Sequence, residues 1–504
     1  MTFWQEWLPL AIVLTSLLPG LLIFTLREEQ RRLRTWLNMT GVVLKLALVA
    51  LMLVGVSRGR SFHFELPFLP DAPLILQADA FSLLFVSLSS LLWLATTVYA
   101  IGYLEGAPLR SRFFGYFSLC VSATVGVALA GNLVTFLTFY ELLTLATLPL
   151  VMHWGNRESL AAGRVYLAYT VSGGILLLMA VALLHGVAGS PQFVSGGYVG
   201  SLLGDSDAAL RLAFFLFIAG LGVKAALVPL HGWLPAAMVA PAPVSALLHA
   251  VAVVKAGAFG IVRVMYDVYG ATALRDLRLA ELLLALACLT VLYGSLRALQ
   301  QTGLKKRLAY STVSQVSYIV LGAALVSPLG LVGGLVHLVH QGLMKVTLFY
   351  CAGNFAEAAG VHDIRDMNGL GRRMPWTMTA FTVAAIGMIG VPPSAGFISK
   401  WYLGVGALEA GVSWVVLVLV ISSLLNAAYF LPLVYRGWFG LPSAKWQAQS
   451  QVCPEEGRLC EIHWMLLVPT LFTATLTLLV GVIAGSDVSP LAWSRLIVER
   501  SFEP

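Results

Sequence analysis

Charged side chains are scarce in this chain. Asp, Glu, Lys and Arg make up only 11% of its 504 residues, whereas a soluble domain carries about 25%. Its five cysteines are too few for a disulfide scaffold. Hydrophobic residues reach 59%, which excludes intrinsic disorder. An ordinary water-soluble protein is therefore excluded.

Recognisable catalytic and cofactor motifs are missing as well. The sequence has no GxGxxG or P-loop pattern and no convincing nucleophilic triad. Six residues separate Cys453 from Cys460, a spacing that favours neither a zinc site nor a redox pair. We therefore predict that the chain itself holds no cofactor, metal or nucleotide and has no redox active site.

Long hydrophobic runs dominate instead. A helix needs about 20 apolar residues to cross a bilayer, and fourteen stretches of this kind occur. They lie at about 6–26, 36–56, 79–101, 113–130, 132–153, 163–188, 209–229, 243–264, 278–298, 308–327, 330–353, 375–408, 412–435 and 464–484. The sequence therefore predicts an all-α polytopic membrane protein with about fourteen transmembrane helices.

The net charge of +7 is distributed unevenly. With both termini outside, the inner loops hold more than twice as many Lys and Arg residues as the outer segments. The positive-inside rule favours this topology, so the basic excess indicates orientation and not a nucleic-acid partner. We predict a multi-pass protein of the prokaryotic cytoplasmic membrane.

Two predicted spans contain prolines where a continuous helix would avoid them. Pro229 follows Lys224, and Pro392 with Pro393 precedes Lys400. Because proline interrupts helical hydrogen bonding, we expect two broken helices. Their offset predicts two inverted five-helix repeats, spans 4–8 and 9–13, as in many transporters. The predicted divisions are residues 1–110 for the first three helices, 111–265 and 275–440 for the repeats, and 441–504 for an inner loop and the last helix.

When arginines at the span ends are counted with the loops, the predicted spans contain five lysines and no arginine. The lysines are Lys45, Lys224, Lys255, Lys345 and Lys400. Lysine can lose its proton when buried, whereas arginine cannot. Lys45 is alone near a span end, so snorkelling to the surface is the favoured interpretation. Asp79 begins the third span, and we expect it to cap that helix.

A single carboxylate, Glu141, lies in the fifth span, where an unpaired charge is costly. We expect it to pair with Lys224 across helices. The predicted proton-translocation residues are Glu141, Lys224, Lys255 and Lys400, with His249, His337, His340 and Lys345 as a supporting relay. Such a series can pass protons through intervening waters; the alternative is a static ion pair that only stabilises the bundle.

The run 224–249, from Lys224 to His249, resembles the signature of the antiporter-like, proton-conducting membrane subunits. These occur in respiratory complex I, in Mrp-type multisubunit Na+/H+ antiporters and in membrane-bound hydrogenases. Further similar stretches are 112–117, 306–311 and 337–353. The resemblance covers roughly spans 3–13, which is nearly the whole chain.

This resemblance implies fourteen spans, an inverted five-helix repeat and a hydrated central axis with a half-channel to each side. Under it, the fifth-helix glutamate is Glu141, the seventh-helix lysine is Lys224, the eighth-helix lysine is Lys255, and the lysine or glutamate of the broken twelfth helix is Lys400. His337 and Lys345 match polar positions of the eleventh helix.

Three positions depart from the family pattern. Ala236 replaces the usual acidic residue after Trp-Leu-Pro, and Gln315 and Gln341 stand where relatives have histidine. These departures bear on the route between Lys255 and Lys400. Having lysine at both of those positions, rather than His and Glu, favours the branch that contains the D-type component of Mrp antiporters and its hydrogenase counterparts.

The predicted function is translocation of protons, with Na+/H+ exchange left open, as one subunit of a multisubunit membrane complex. The expected partners are other membrane subunits and the lipid bilayer. The alternatives are the antiporter-like subunit of a complex I-type NADH/quinone oxidoreductase and a free-standing secondary transporter. In a redox-driven complex this chain would be the ion-pumping subunit and not the redox enzyme.

Overall fold

The computed structural model describes residues 3–204, 206–441 and 461–502. Cys453 and Cys460 therefore lie outside the described residues. Within the described part, eleven helices are long and apolar enough to cross a membrane. The prediction of an all-α polytopic membrane protein is confirmed.

The N-terminal part consists of three helices and one β-hairpin. In chain order these are α1 (Phe3–Phe24), α2 (Arg31–Ser57), β1 (Phe62–Leu69), β2 (Ala72–Ala78) and α3 (Ala80–Tyr103). The strands are antiparallel, with Phe62 opposite Ala78. As predicted, Asp79 caps α3: its Oδ1 accepts a hydrogen bond of 2.6 Å from the backbone N–H of Ser82. The sequence did not predict the hairpin.

The next part contains the first predicted repeat. Its helices are α4 (Arg110–Leu129), α5 (Leu133–Val151), α6 (Arg157–Ala188), α7 (Asp207–Lys224), α8 (Trp233–Ala236), α9 (Ala242–Ala250), α10 (Val253–Arg263) and α11 (Gly270–Asp276). A π-helical segment, Val264–Tyr269, joins α10 to α11. The chain leaves helical geometry after Lys224, ahead of Pro229, as the sequence predicts.

The second predicted repeat and the C-terminal part follow. Their helices are α12 (Ala280–Leu299), α13 (Leu304–Ala324), α14 (Pro328–Ala359), α15 (Leu370–Arg373), α16 (Pro375–Ile389), α17 (Ala395–Glu409), α18 (Trp414–Phe439), α19 (Trp464–Val482) and α20 (Pro490–Phe502). Pro392 and Pro393 separate α16 from α17, which is the second predicted break.

The predicted eighth span contains an additional break that the sequence does not reveal. Helix α9 ends at Ala250 and α10 begins at Val253. The backbone N–H groups of Val251 and Ala252 both donate to the carbonyl of Leu247. No proline marks this interruption, which falls between His249 and Lys255.

Three predicted spans are not among the eleven spanning helices of the described residues. They correspond to α7 and α13, which carry several charges, and to the short pair α16 and α17. The count of fourteen spans, the division of the chain and the inverted relation of the repeats stay predictions.

The most buried segments run through the middle of the bundle. In α14, 94% of the most apolar stretch is buried, and in the segment from α9 to α11 all of it is, whereas α6 and α18 bury 39%. The hairpin, the start of α3 and α20 lie together, because the Trp493 indole N–H donates to the Ala80 carbonyl at 2.7 Å. We call this end of the bundle the hairpin face and the other end the opposite face.

Candidate proton pathway

Lys224 is the last residue of α7 and is buried. Its Nζ donates to the backbone carbonyl of Tyr140 on α5 and lies 3.3 Å from the centre of the Tyr140 ring. A carbonyl oxygen and the face of an aromatic ring both attract an ammonium group. The lysine is therefore held across two helices by neutral groups.

Glu141 is the neighbour of Tyr140, but it makes no direct ion pair with Lys224 among the described residues. Its Oε1 is buried without a hydrogen-bond partner there. The carboxylate packs against α6, where a Cβ at Gly174 would lie 2.5 Å from Oε1. The two groups are near enough to attract each other electrostatically, without a contact at ion-pair distance among the described residues. Their pairing across helices stays a prediction.

Lys255 connects the first part of the series to the central helix. It is fully buried on α10, and its Nζ donates to the Leu338 carbonyl of α14 at 2.8 Å. Leu338 lies between His337 and His340 in the sequence. The structure therefore places Lys255 beside the predicted relay residues of α14.

The region around Lys255 contains buried polar atoms with no hydrogen-bond partner among the described residues. They are both ring nitrogens of His249 and of His340, Nε2 of His337, and the side-chain amide atoms of Gln315 and Gln341. Buried polar groups are normally satisfied by protein or by ordered water. So many buried donors and acceptors without a protein partner favour the presence of water between these side chains.

Lys345 and Lys400 are joined by a chain of hydrogen bonds. Lys345 Nζ donates to Ser311 Oγ at 2.6 Å, and Tyr429 OH bonds the same oxygen at 3.1 Å. Tyr429 OH also bonds Asn426, whose Nδ2 donates to the Met388 carbonyl at 3.3 Å. Lys400 Nζ donates to that carbonyl at 3.1 Å.

Lys400 is held mainly by the end of α16. Its Nζ donates to the Ile389 carbonyl at 2.7 Å and to Ser423 Oγ at 2.9 Å, besides the Met388 carbonyl. The last carbonyls of a helix lack intrahelical partners and carry partial negative charge. Ser399, the preceding residue, bonds His337 Nδ1 at 2.8 Å, so α17 contacts the relay at two adjacent positions.

Sequence reasoning missed Ser423, Asn426 and Tyr429. They recur every third residue in α18, so they lie on one side of that largely apolar helix. That spacing is a usable signal. It is easily overlooked because none of the three side chains carries a charge.

Two other expectations are corrected. Lys45 does not snorkel: it is fully buried, donates to Ser16 Oγ at 2.7 Å and lies 4.6 Å from the Trp93 ring. The expectation that no arginine lies within a span is also wrong, because Arg263 ends α10 and is only 2% exposed. Two carboxylates, Asp79 and Asp267, contact its guanidinium.

No group of three or more His, Cys, Asp or Glu side chains that could hold a metal occurs among the described residues. The buried series is built from proton-exchanging and hydrogen-bonding groups. It suits the movement of a proton better than the binding of a cofactor.

Residues 130–426 match the family described as NADH:quinone oxidoreductase/Mrp antiporter, TM. This chain belongs to that family. It is similar to NADH-quinone oxidoreductase subunit N of Desulforudis audaxviator, with 39% identity over 75% of this chain and 76% of that protein.

A longer relative comes from a hydrogenase. The chain is 34% identical to hydrogenase-4 component B of Escherichia coli, in a match that covers 66% of this chain and 50% of the relative. The chain therefore spans about half the length of this family member.

The fold is also similar to that of a solved subunit. A chain of the Mrp complex from Dietzia sp. DQ12-45-1b superposes with a TM-score of 0.88 at 25% identity, covering 100% of this chain and 98% of that chain. The described helices thus follow the fold of a membrane subunit in a multisubunit complex. Other membrane subunits are partners of this chain.

Proposed function

We propose that this chain translocates protons through a membrane complex along the series that begins at Glu141 and Lys224 and ends at Lys400. One observation carries the proposal. Among the described residues, Lys224, Lys255, Lys345 and Lys400 all donate their hydrogen bonds to neutral oxygens, and Lys345 is joined to Lys400 through side chains and one carbonyl. A lysine without a fixed counter-ion can exist both with and without its proton.

The proposed cycle starts at Glu141. A charge change in a neighbouring subunit alters how strongly this carboxylate attracts Lys224, which then passes its proton towards Lys255. From Lys255 the proton crosses the region of His337 and His340, where the unpaired polar atoms favour water. Lys345 and Lys400 complete the route, and Lys400 exchanges its proton with the far side of the membrane.

We also propose an orientation of the chain in the membrane. The positive-inside rule supports placing both termini, and therefore the hairpin face, outside the cell. The opposite face then carries most of the basic loops and faces the cytoplasm.

For the host complex, we propose two types, one gradient-driven and one redox-driven. Lysine at positions 255 and 400 supports a hydrogenase-type chain or one like the D-type component of Mrp antiporters, with Na+/H+ exchange as the gradient-driven form. Similarity to subunit N of an NADH-quinone oxidoreductase equally supports a redox-driven host. Mass spectrometry of the complex, purified through a tag on this chain, separates a gradient-driven antiporter from a redox-driven host. Iron–sulfur subunits are expected only in a redox-driven host, whether it is of the hydrogenase or the NADH-quinone oxidoreductase type.

The experiment that tests the proposal is driven proton uptake in liposomes holding the purified complex. We expect Lys224→Ala to abolish uptake while the complex still assembles. Lys306→Ala changes a lysine at the start of α13, outside the proposed route, and is the control. Uptake at the normal rate by the Lys224→Ala complex would contradict the proposal.

A further inference from the structure

A group of charged side chains at the hairpin face takes no part in the series described above. Arg263 Nη1 lies 2.6 Å from Asp79 Oδ2 and 2.7 Å from Asp267 Oδ2, and Nη2 lies 2.9 Å from Asp79 Oδ1. One guanidinium therefore faces two carboxylates. We call these three residues the hairpin-face cluster. Arg263 can neutralise only one of the two carboxylates, and Arg500 lines the same cavity.

The hairpin-face cluster opens to the surface on one side. A cavity of about 60 Å³ is lined by all three of its residues together with Tyr266 and Arg500. A water molecule needs about 10–15 Å³, so the cavity has room for more than one. The Asp79 side chain is 41% exposed, whereas that of Asp267 is 10% exposed. The cluster thus runs from a buried carboxylate to an accessible one.

The backbone that carries Asp267 is unusual. It belongs to the π-helical segment Val264–Tyr269, which directly follows α10. Short π-helical segments are rare and frequently occur at functional sites. Here the segment places Asp267 within ion-pair distance of Arg263.

Lys255 lies on the same helix as Arg263, two turns away. Lys255, Phe259 and Arg263 are spaced by four residues, so they follow one side of α10. At 1.5 Å per residue, roughly 12 Å of helix separates the lysine from the arginine. A proton leaving Lys255 along α10 would therefore meet Phe259 first.

Phe259 belongs to a layer of three aromatic rings. Its ring centre lies 4.3 Å from that of Phe81 and 5.0 Å from that of Phe85, both on α3. All three side chains are buried. The Arg263 guanidinium lies 5.2 Å from the Phe259 ring centre. Because Phe259 lies between Lys255 and Arg263 along α10, this apolar layer stands between the lysine and the hairpin-face cluster.

We propose that the hairpin-face cluster is a second proton-release site, and that the rings of Phe81, Phe85 and Phe259 form the gate between it and Lys255. When the rings part, the Lys255 ammonium gives a proton to water, the water gives one to the Asp267 carboxylate, and Asp267 releases it through the cavity beside Asp79. Only protons move in these steps. Lys255 regains its starting state when it is protonated again, and Asp267 regains its own when it releases the proton.

This inference rests on the proposed function, because it takes Lys255 as a proton carrier. It is tested without driving the complex: passive proton flux is measured in liposomes under an imposed pH gradient. We expect Phe259→Ala to raise that flux roughly tenfold, which corresponds to lowering a barrier by about 1.4 kcal/mol. Adding Asp267→Asn to Phe259→Ala should return the flux to that of the unaltered complex.

The matched control is Phe355→Ala. Phe355 is as fully buried as Phe259 but lies near the C-terminal end of α14, towards the opposite face. Equal passive flux in the two alanine variants, or a leak that survives Asp267→Asn, would overturn the proposed release site. Driven uptake by the Lys224→Ala complex tests the general proposal, whereas passive flux tests the release site. The two can therefore fail independently.

A second measurement covers the case in which Phe259→Ala does not assemble. Asp267→Asn alone should slow driven proton transport severalfold, and Asp267→Glu should restore it, because a carboxylate and not the shape of the side chain carries the proton. If Asp267→Asn transports at the full rate, the cluster only ties α3 to the end of α10 and the proposal is wrong.

Discussion

The two lysines at the proline breaks are held in different ways. Lys224 reaches from the end of α7 to a carbonyl of α5, and the partly exposed carboxylate of Glu141 lies next to that carbonyl. Lys400 reaches back to the last carbonyls of its own broken helix and to Ser423. A side-chain charge can be altered by a neighbouring subunit, whereas backbone carbonyls are permanent. We therefore call Lys224 the responsive lysine, because its surroundings include a charge that can change. We call Lys400 the fixed lysine, because backbone carbonyls hold it.

Each of these sites also includes a glycine that leaves room for the charged group. Gly174 of α6 faces the Glu141 carboxylate, and Gly390 faces the side chain of Lys400. Gly390 has a φ of 92°, in the region that favours glycine, whereas Gly174 sits in an ordinary helix. A glycine thus leaves room for the charged group both at the lysine that responds to a side-chain charge and at the lysine held by backbone carbonyls.

The largest effect is expected when the responsive site loses its charge. Glu141→Gln keeps the shape of the side chain, but it removes the attraction that acts on Lys224. We expect driven proton transport to fall roughly a hundredfold, or about 2.7 kcal/mol in the barrier, while passive flux stays unchanged. Glu281→Gln, an exposed position at the start of α12, is the control. Transport at the control rate would show that Lys224 does not depend on Glu141.

Gly390→Ala should come next and acts on the fixed site. A Cβ there would lie 2.8 Å from Lys400 Cδ and 3.4 Å from its Nζ, and alanine would be strained at this φ. A left-handed conformation costs a non-glycine residue about 1–2 kcal/mol. We expect lower thermal stability together with a roughly tenfold loss of driven transport, or about 1.4 kcal/mol in the barrier. In Gly404→Ala, where no atom lies within 4 Å, both properties should be retained.

A smaller effect with a different signature is expected for Gly174→Ala. The added methyl group would displace the Glu141 carboxylate, yet alanine favours a helix over glycine by roughly 0.5–1 kcal/mol. Driven transport should therefore fall about threefold, or about 0.7 kcal/mol in the barrier, without a loss of thermal stability. Gly186→Ala tests the same helix at a position with open space. Loss of stability and transport together would mean that packing, and not the carboxylate, was disturbed.

The two breaks also show what the sequence could reveal. Hydropathy located the spanning helices, and prolines located the breaks beside Lys224 and Lys400, because both signals are local. The break between His249 and Lys255 has no proline, so no local pattern predicted it; there two successive backbone N–H groups donate to the Leu247 carbonyl. The β-hairpin was missed for a related reason: an apolar stretch of that length carries no clear sign of its strand pairing.

Burial of charge was predicted less well than helix position. The sequence analysis expects no arginine within a span, yet Arg263 is buried at the end of α10. Asp267, four residues on, and Asp79, from a distant part of the chain, offset the cost of its burial. Lys45 was expected at the surface, and only the packing of α1, α2 and α3 shows that Ser16 and Trp93 enclose it. Side-chain partners on distant helices are set by tertiary structure, which periodicity does not encode.

The smallest effect is expected for Ser423→Ala, which removes one of three acceptors around Lys400. The carbonyls of Met388 and Ile389 remain, at 3.1 Å and 2.7 Å from Nζ. A single hydrogen bond contributes about 0.5–1.5 kcal/mol to stability, and backbone acceptors take up most of the loss here. Driven transport should stay within about twofold, or about 0.4 kcal/mol in the barrier. A loss as large as that of Glu141→Gln would mean that Lys400, too, depends on a side chain, and the contrast between a responsive and a fixed lysine would disappear.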